Sequence, residues 1–283
     1  MLQRSTIQLL RFPFSVFLLP VFLFAVSQVA SLNPFLAASV FFILHVLVYP
    51  ASNGYNSYMD RDETPVGGLR SPLLPTRELF YVTLAMDGLA LILALLINQY
   101  FALGILLYIM ASRAYSYRKI RLKRFPVIGF LTVFIFQGAL VYLMVLMALQ
   151  GHWPALSWDP LIASLLIGAL YPLTQVYQHE ADKADGVHTI SMLLGKRGSF
   201  VFSMFLFLSA TFLIFLRFNE MGALMNFYLF LIIMLPVVLF FLYWWREVWR
   251  DGSKADFINS LRMNIIATIC TSAYFITLIV RQH

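Results

Sequence analysis

Charge is scarce in this chain. Only 12% of its residues are Asp, Glu, Lys or Arg, against about a quarter in ordinary soluble domains, while 61% are hydrophobic and the mean hydropathy is +0.81. That balance excludes a water-soluble globular protein and indicates a polytopic membrane protein. Cysteine is almost absent: Cys270 stands alone inside an apolar run, so no disulfide framework exists. No Gly/Ser-rich linker or low-complexity segment divides the 283 residues, which read as one transmembrane domain, 1–283. A cleavable leader is not expected either, because the apolar run after Arg4 and Arg11 reaches spanning length without a small-residue cleavage pattern. Acidic residues are fewer than basic ones, 13 against 20, giving a net charge of +7. Such an excess suggests nucleic acid, but its distribution points to membrane topology.

What is present in quantity is long apolar runs. Crossing the hydrocarbon takes about 20 residues, and backbone groups there must be satisfied within the segment, so each run is expected to be helical. Nine are expected, near 12–31, 35–55, 78–97, 99–116, 127–148, 159–178, 199–217, 224–245 and 263–281. Apart from Arg217 and Arg281, all 20 Lys and Arg fall in the amino terminus or in the even-numbered loops. The positive-inside rule then puts the amino terminus and charged loops in the cytoplasm of a cell inner or plasma membrane, with the carboxyl terminus outside. Helices 1–4 and 5–8 form two similar halves, each with an acidic loop after its own second helix, as in duplicated bundles with a site at the pseudo-symmetric interface.

The first of those loops, Asn53 to Pro75, holds Asn53, Asn56, Asp60, Asp62, Glu63, Arg61 and Arg70. Carboxylate and amide oxygens at this density are hard ligands suited to Mg2+ shared with a substrate phosphate. The alternative is a solvated loop whose acids pair with its own arginines. The second loop, Gln178 to Gly198, carries Gln178, Glu180, Asp182 and Asp185. Gln178 and Asp182 are four apart and share a face if helix 6 runs on past the membrane edge. Two acidic loops on one side of a bundle would repel unless a cation lay between them, so together they favour a divalent ion clamping one diphosphate.

Between them lies Arg113–Arg124, with Arg113, Arg118, Lys119, Arg121, Lys123 and Arg124. Tyr115 and Lys119 are four apart and would project together from a helical extension. Such cations bind phosphate oxygens, and Lys119, Arg121 and Lys123 are favoured for the site. Anionic lipid headgroups are the competing ligand, weighted equally for Arg118 and Arg124. Two ionisable groups, His45 and Asp87, lie within the membrane. Asp87 is expected to pair with a helix neighbour such as His45 or Gln137, rather than to line an acceptor pocket. Pro50, Pro172 and Pro236 are candidate kinks.

These residues together resemble the UbiA-type intramembrane prenyltransferases over nearly the full length. The resemblance rests on Asn53 to Leu73, on Tyr115-Ser-Tyr-Arg-Lys119 with Ile-Arg121-Leu-Lys123-Arg-Phe-Pro126, and on Asp182 to Gly195. It implies an all-α bundle of nine transmembrane helices, two four-helix halves plus one, around a lipid-open cavity. It also implies Mg2+-dependent transfer of a polyprenyl chain from its diphosphate to a usually aromatic acceptor.

The family's first motif resembles Asn-x-x-x-Asp-x-x-x-Asp. Asn56 and Asp60 match it, but Thr64 stands third, while starting at Asn53 puts Ser57 second. A shifted register would bring in Asp62. The second motif resembles Asp-x-x-x-Asp, and here Gln178 precedes an intact Asp182, with Glu180 as a possible substitute. The implied metal ligands are Asn53, Asn56, Asp60, Asp62, Gln178, Glu180 and Asp182. Arg70, Lys119, Arg121 and Lys123 are the implied diphosphate ligands, and Asp60, Asp182, Lys119 and Tyr115 the catalytic set. Tyr115 and Tyr177 are the rings placed to shield a carbocation. The expected partners are a polyprenyl diphosphate, a lipophilic or aromatic acceptor and membrane lipid, with no nucleic acid. A transporter of a lipid or anionic metabolite, a related terpene cyclase and a non-transferring scaffold are the alternatives. The acceptor stays open among quinone-precursor rings, haem, chlorin, glycerol phosphate and other hydroxylated rings.

Overall fold

The computed structural model describes residues 2–282. It is all-helical apart from one isolated bridge, Val66 to Leu69, among the described residues. Seven helices are long and apolar enough to cross a membrane: α1 (Arg4–Val26), α2 (Pro34–Asp60), α3 (Arg77–Ile97), α5 (Pro126–Gln150), α8 (Ile190–Glu220), α9 (Leu224–Arg250) and α10 (Phe257–Gln282). Two further rods, α4 (Gln99–Ser116) and α6 (Asp159–Gln175), fill the remaining expected positions but are 18 and 17 residues long. A six-residue helix, α7 (His179–Ala184), lies between α6 and α8. Seven spans meet length and composition together among the described residues, against the nine crossings expected from the sequence.

Each long helix packs against the next, and α10 closes onto α1 and α9. Outward faces stay apolar: Ile92, Leu95 and Leu96 on α3 and Ile232, Leu235 and Leu239 on α9 are exposed, as lipid-facing positions should be. Side-chain amides shape the turns at Asn33 and Asn98. Asn33 caps α2 by accepting from the Phe35 and Leu36 amides at 3.1 and 3.2 Å. Asn98 accepts from Phe101 N at 2.9 Å while its Nδ2 donates to the Met147 and Ala148 carbonyls at the end of α5.

Three departures from regular helix shape the interior. At Arg11 the chain turns left-handed (φ 49°), breaking α1 about two turns inside its start. In α2 a π-helical stretch, Ile43–Val48, ends just before Pro50, which has no N–H for the carbonyl four residues back. In α5 a second π-helical stretch, Phe134–Ala139, contains Gln137. There Ser164 Oγ accepts from Ala139 N at 2.9 Å, and a Cβ at Gly138 would lie 2.3 Å from Ser164 Cα, so only glycine permits this approach of α5 to α6. Pro172 and Pro236 sit inside α6 and α9, whereas the non-helical dihedrals in α8 fall at Gly195.

The partner of Asp87 is neither His45 nor Gln137. It is Arg113, which comes from the last turn of α4, bonds Asp87 Oδ2 and lies 3.9 Å over the Tyr55 ring. The long guanidinium reaches down to a carboxylate that imidazole and amide neighbours leave unpaired. His45 instead stacks on Phe41 and meets Phe22 and Tyr49 edge-on, with neither ring nitrogen hydrogen-bonded. Because the Arg113–Asp87 pair is largely buried, Arg113→Met should destabilise the protein by about 3 kcal/mol through the orphaned carboxylate. Arg113→Met with Asp87→Leu should recover most of that loss in thermal unfolding in detergent; equal losses for the single and double variants would show that the charge pair is not the cause.

Candidate active site

α2 ends at Asp60, where Arg61 adopts a left-handed C-cap (φ 56°). The chain then turns at Val66-Gly67-Gly68-Leu69, where both glycines have positive φ and Val66 and Leu69 exchange backbone bonds of 2.9 and 2.8 Å. Gln8, on the amino-terminal turn, fixes the returning strand by donating to Ser71 O at 3.2 Å and accepting from Leu73 N at 2.8 Å. This folds Val66, Gly67 and Gly68 over a cavity of about 200 Å³.

Asn53, Asn56, Asp60, Asp62, Lys123, Tyr115, Tyr177, Gln178 and Asp182 all line that one cavity. Two acidic segments from separate halves of the chain therefore meet. Asp60 is the most heavily engaged: Asn56 Nδ2 donates to it at 2.8 Å, Lys123 Nζ bonds its Oδ2, and Arg121 lies 3.4 Å from its Oδ1. Arg121 also bonds Asp185, and Arg118 reaches Asp185 Oδ1 at 3.1 Å and the Met59 carbonyl at 2.8 Å. Arg121 is thus buried as a tie between the two acidic segments and does not line the cavity.

Other expected ligands lie elsewhere. Lys119, Arg70 and Glu180 are exposed and outside the cavity wall. The helical extension expected to carry Tyr115 and Lys119 on one face does not form: α4 stops at Ser116, Tyr117 is extended, and the chain turns back on a Tyr117 O to Arg121 N bond of 2.7 Å. Similarly, α6 does not run on. It ends at Gln175, and Gln178 stands immediately before the separate helix α7, yet Gln178 and Asp182 still share the cavity because they lie one turn apart there. Glu180, two residues on, falls on the other side.

One cavity-lining cation was absent from the expected ligand set. Arg11, 5% exposed, donates to Asn53 O at 3.0 Å and to Asn56 Oδ1 at 3.4 Å. A Cβ on Gly67 would lie 1.9 Å from its guanidinium, so the glycine makes room for it. In sequence Arg11 reads as one of two amino-terminal charges that orient the first helix. Only the left-handed break turns it inward. Other polar lining residues, among them Ser52, Ser112, Gln137, Tyr171, Thr174, Gln175, Ser260 and Asn264, had no motif to mark them. Tyr115 and Tyr171 share a hydroxyl–hydroxyl bond among these groups. A second cavity of about 190 Å³, almost wholly apolar, lies between α1, α6, α8, α9 and α10, and Phe17 lines both.

On the cavity wall itself three carboxylates, Asp60, Asp62 and Asp182, face two cations, Lys123 and Arg11. Burial, then the neighbouring Asp60, raises Asp62, whose Oδ2 is buried without a partner. Burial, reinforced by Asp62, Asp60 and Asp185, pushes Asp182 up to about 7, with Lys123 opposing. For Asp185 burial acts the same way but is outweighed by the guanidinium groups of Arg121 and Arg118, which hold it below the usual carboxylate range. An orphaned buried carboxylate oxygen and a carboxylate driven toward protonation are what a site for a divalent cation shows when only protein groups are considered. No three Asp, Glu, His or Cys side chains form a ready metal cage among the described residues. Mg2+ characteristically takes one or two carboxylates and completes its shell from substrate phosphates and water, so this donor set fits it.

The fold and site define an intramembrane helical bundle with a charged, ion-pairing chamber at its polar end and an apolar chamber beside it. The sequence matches the model of the UbiA prenyltransferase family over residues 15–266, and the chain belongs to that family. Solved structures share its fold. A UbiA homologue from Archaeoglobus fulgidus bound to GPP and Mg2+ is 22% identical, with a TM-score of 0.66 over 98% of this chain and 99% of that one. The apo UbiA homologue from Aeropyrum pernix K1 is 20% identical, with a TM-score of 0.71 over 94% and 98%. A digeranylgeranylglyceryl phosphate synthase is 19% identical, with a TM-score of 0.63 over 98% of both chains. No curated protein matches.

The raised Asp182 has a consequence for stability. A carboxyl whose folded pKa lies above its unfolded value favours the folded state when protonated, and that contribution disappears as pH rises through about 7. Thermal stability of the metal-free protein should therefore fall between about pH 4 and 7, and Asp182→Asn should flatten that fall. An unchanged slope in the variant would assign it to other groups.

Proposed function

We propose that this protein is an integral-membrane prenyltransferase that moves a polyprenyl chain from its diphosphate to a lipophilic or aromatic acceptor, using Mg2+. The observation that carries this reading is the meeting of Asp60 and Asp62 with Asp182 around one cation-lined cavity that adjoins an apolar chamber at Phe17. Family membership supports it, as do relatives whose structures hold GPP or DMAPP with Mg2+. Nine crossings, with the amino terminus and charged loops cytoplasmic and the carboxyl terminus outside, place the cavity mouth at the cytoplasmic membrane surface. The single domain spans residues 1–283.

Asn56, Asp60, Asp62, Gln178 and Asp182 would hold the ion, with Asn53 behind them. When bound, it neutralises charge on the diphosphate oxygens. Lys123 and Arg11 bind the same oxygens and stabilise the charge that grows on the leaving group. The allylic C1–O bond breaks with its electron pair going to diphosphate. The acceptor donates a pair to C1, and the acceptor's displaced proton passes to a diphosphate oxygen or water. The rings of Tyr115 and Tyr177, with Tyr171 on the same wall, shield the positive carbon. The apolar chamber takes the isoprenoid chain. Arg121 belongs to the scaffold that holds the acidic segments together, and the exposed Lys119, Arg70 and Glu180 lie outside the reacting centre.

One observation favours a second reading, a related terpene cyclase or non-transferring scaffold: a neutral Gln178 stands where a carboxylate is usual in the family. Purified protein with labelled geranylgeranyl diphosphate and Mg2+, with and without acceptors, separates these. Transfer requires acceptor-dependent, Mg2+-dependent release of diphosphate. Cyclisation gives product without acceptor, and a transporter or scaffold releases none. In the transferase, Lys123→Ala and Asp182→Ala should each lower kcat/KM about 100-fold, while Lys119→Ala leaves it nearly unchanged. A large loss for Lys119→Ala would reject the assignment of the leaving-group cation to Lys123.

A further inference from the structure

Helix α7 is too short to hold its own orientation. Its six residues make under two turns, well below the roughly 12 that an isolated helix needs in water. Yet it carries Asp182 and directly follows Gln178, and both line the polar cavity. Successive residues of a helix point about 100° apart, so a modest rotation of α7 about its axis would carry both side chains off that wall. One anchor lies just past its end, where Asp185 bonds Arg121 and accepts from Arg118 Nη1 at 3.1 Å. At the other end Gln178 Nε2 reaches the Pro65 carbonyl only at 3.4 Å, which is a weak hold on the first turn.

His179 supplies a second anchor. It is half-buried and lies beside the cavity-facing side of α7, outside the cavity wall. A hydrogen bond of 2.8 Å joins its Nε2 to Ser191 Oγ in the first turn of α8. Ser191 Oγ lies in turn 2.9 Å from Ser199 Oγ, and both serines are fully buried. Between them Gly195 interrupts α8 with φ 70° and ψ 167°, and Ser199 Oγ is also 2.9 Å from the Gly195 carbonyl. The polar chain from His179 through Ser191 to Ser199 therefore bridges that kink. It ties the start of α7 to the part of α8 that continues as a long apolar span. Water does not reach the two buried hydroxyls, so a lost partner is not readily replaced.

We propose that His179 is a positioning residue for the metal site: bonded to Ser191, it sets the rotation of α7 so that Gln178 and Asp182 face the cavity together. The inference rests on the transferase reading, in which those two side chains help to hold Mg2+. His179 touches neither ion nor substrate in this role. Groups that orient metal ligands from behind commonly account for about tenfold or more in metal affinity.

The test measures binding, without turnover, by equilibrium dialysis of geranylgeranyl diphosphate with the full-length protein in detergent across a Mg2+ titration. His179→Leu should raise the Mg2+ concentration at half-maximal binding about tenfold, and Ser191→Ala should raise it similarly. The double variant should need no more Mg2+ than either single one, because both break the same bond. His179→Gln, whose amide reaches the position of Nε2, should return the requirement to within about twofold of the unmodified protein. An unchanged Mg2+ requirement in His179→Leu and Ser191→Ala, a glutamine variant as impaired as the leucine one, or effects that multiply in the double variant would each overturn the proposal. Should His179→Leu not fold, Ser191→Ala, which removes a single oxygen, decides by the same titration. Absence of Mg2+-dependent binding to the unmodified protein would instead strike the transferase reading, so the two failures are distinguishable.

Discussion

Arg121 bonded to both Asp60 and Asp185 is the contact on which the polar end of this bundle depends. Asp60 ends α2 in the first half of the chain, and Asp185 follows α7 in the second. Without a shared cation these segments carry four carboxylates, Asp60, Asp62, Asp182 and Asp185, into a partly desolvated space where like charges repel strongly. A guanidinium has a planar fork of donors and holds its charge at any relevant pH, so it can bond two carboxylates at once where an ammonium serves less well. Arg118 extends the tie to the Met59 carbonyl. Lys123 completes it on the cavity side, where a single ammonium on a flexible stem remains adjacent to the chamber.

The backbone is least regular where that charge is gathered. Among the described residues, the non-glycine positions with positive φ are Arg11, Arg61 and Arg121. A left-handed conformation costs roughly 1–2 kcal/mol for such a residue, so three at one end of the molecule need a common compensation. Each follows or precedes a helix end that a continuing helix would have carried past the cavity. The break at Arg11 aims its guanidinium inward, and the one at Arg121 reverses the chain so that Lys123 returns to Asp60. Gly67 and Gly68 make the matching turn in the opposing loop at less steric cost.

Much of this was legible in the sequence, and the limit has a physical cause. Long apolar runs give helix positions directly, because a membrane leaves the backbone no other choice. Asn56, Asp60, Gln178 and Asp182 could be read as one set because their fourfold spacing is a helical property, although Gln178 and Asp182 lie on α7 and not on a continued α6. Within Arg113–Arg124, however, every cation has similar chemistry, and the direction of each is set by where α4 stops. One left-handed residue then decides that Lys123 faces the chamber and Lys119 the solvent. Arg113 pairing with Asp87 and Arg11 meeting Asn53 join residues far apart in sequence through long side chains, which no local periodicity encodes. The π-helical stretch around Gln137 is equally silent, since Phe-Ile-Phe-Gln-Gly-Ala reads as ordinary membrane helix.

Polarity changes in sequence through the interior: charged at the mouth, neutral and hydrogen-bonding below it, apolar beyond Phe17. Each zone suits a different part of an amphiphilic substrate, and the order keeps water near the group that can tolerate it. Gln178 fits this gradient. With an amide in place of a second carboxylate on α7, Asp182 adds the only formal negative charge that this helix presents to the chamber. One fewer fixed charge lowers the repulsion that Asp62 and Asp182 experience when no cation is present, and it also lowers the attraction for a bare ion. A divalent cation therefore gains most when it arrives with an anionic partner whose oxygens complete its shell. Under the proposed function, an amide here shifts the site from holding metal by itself toward holding metal together with diphosphate.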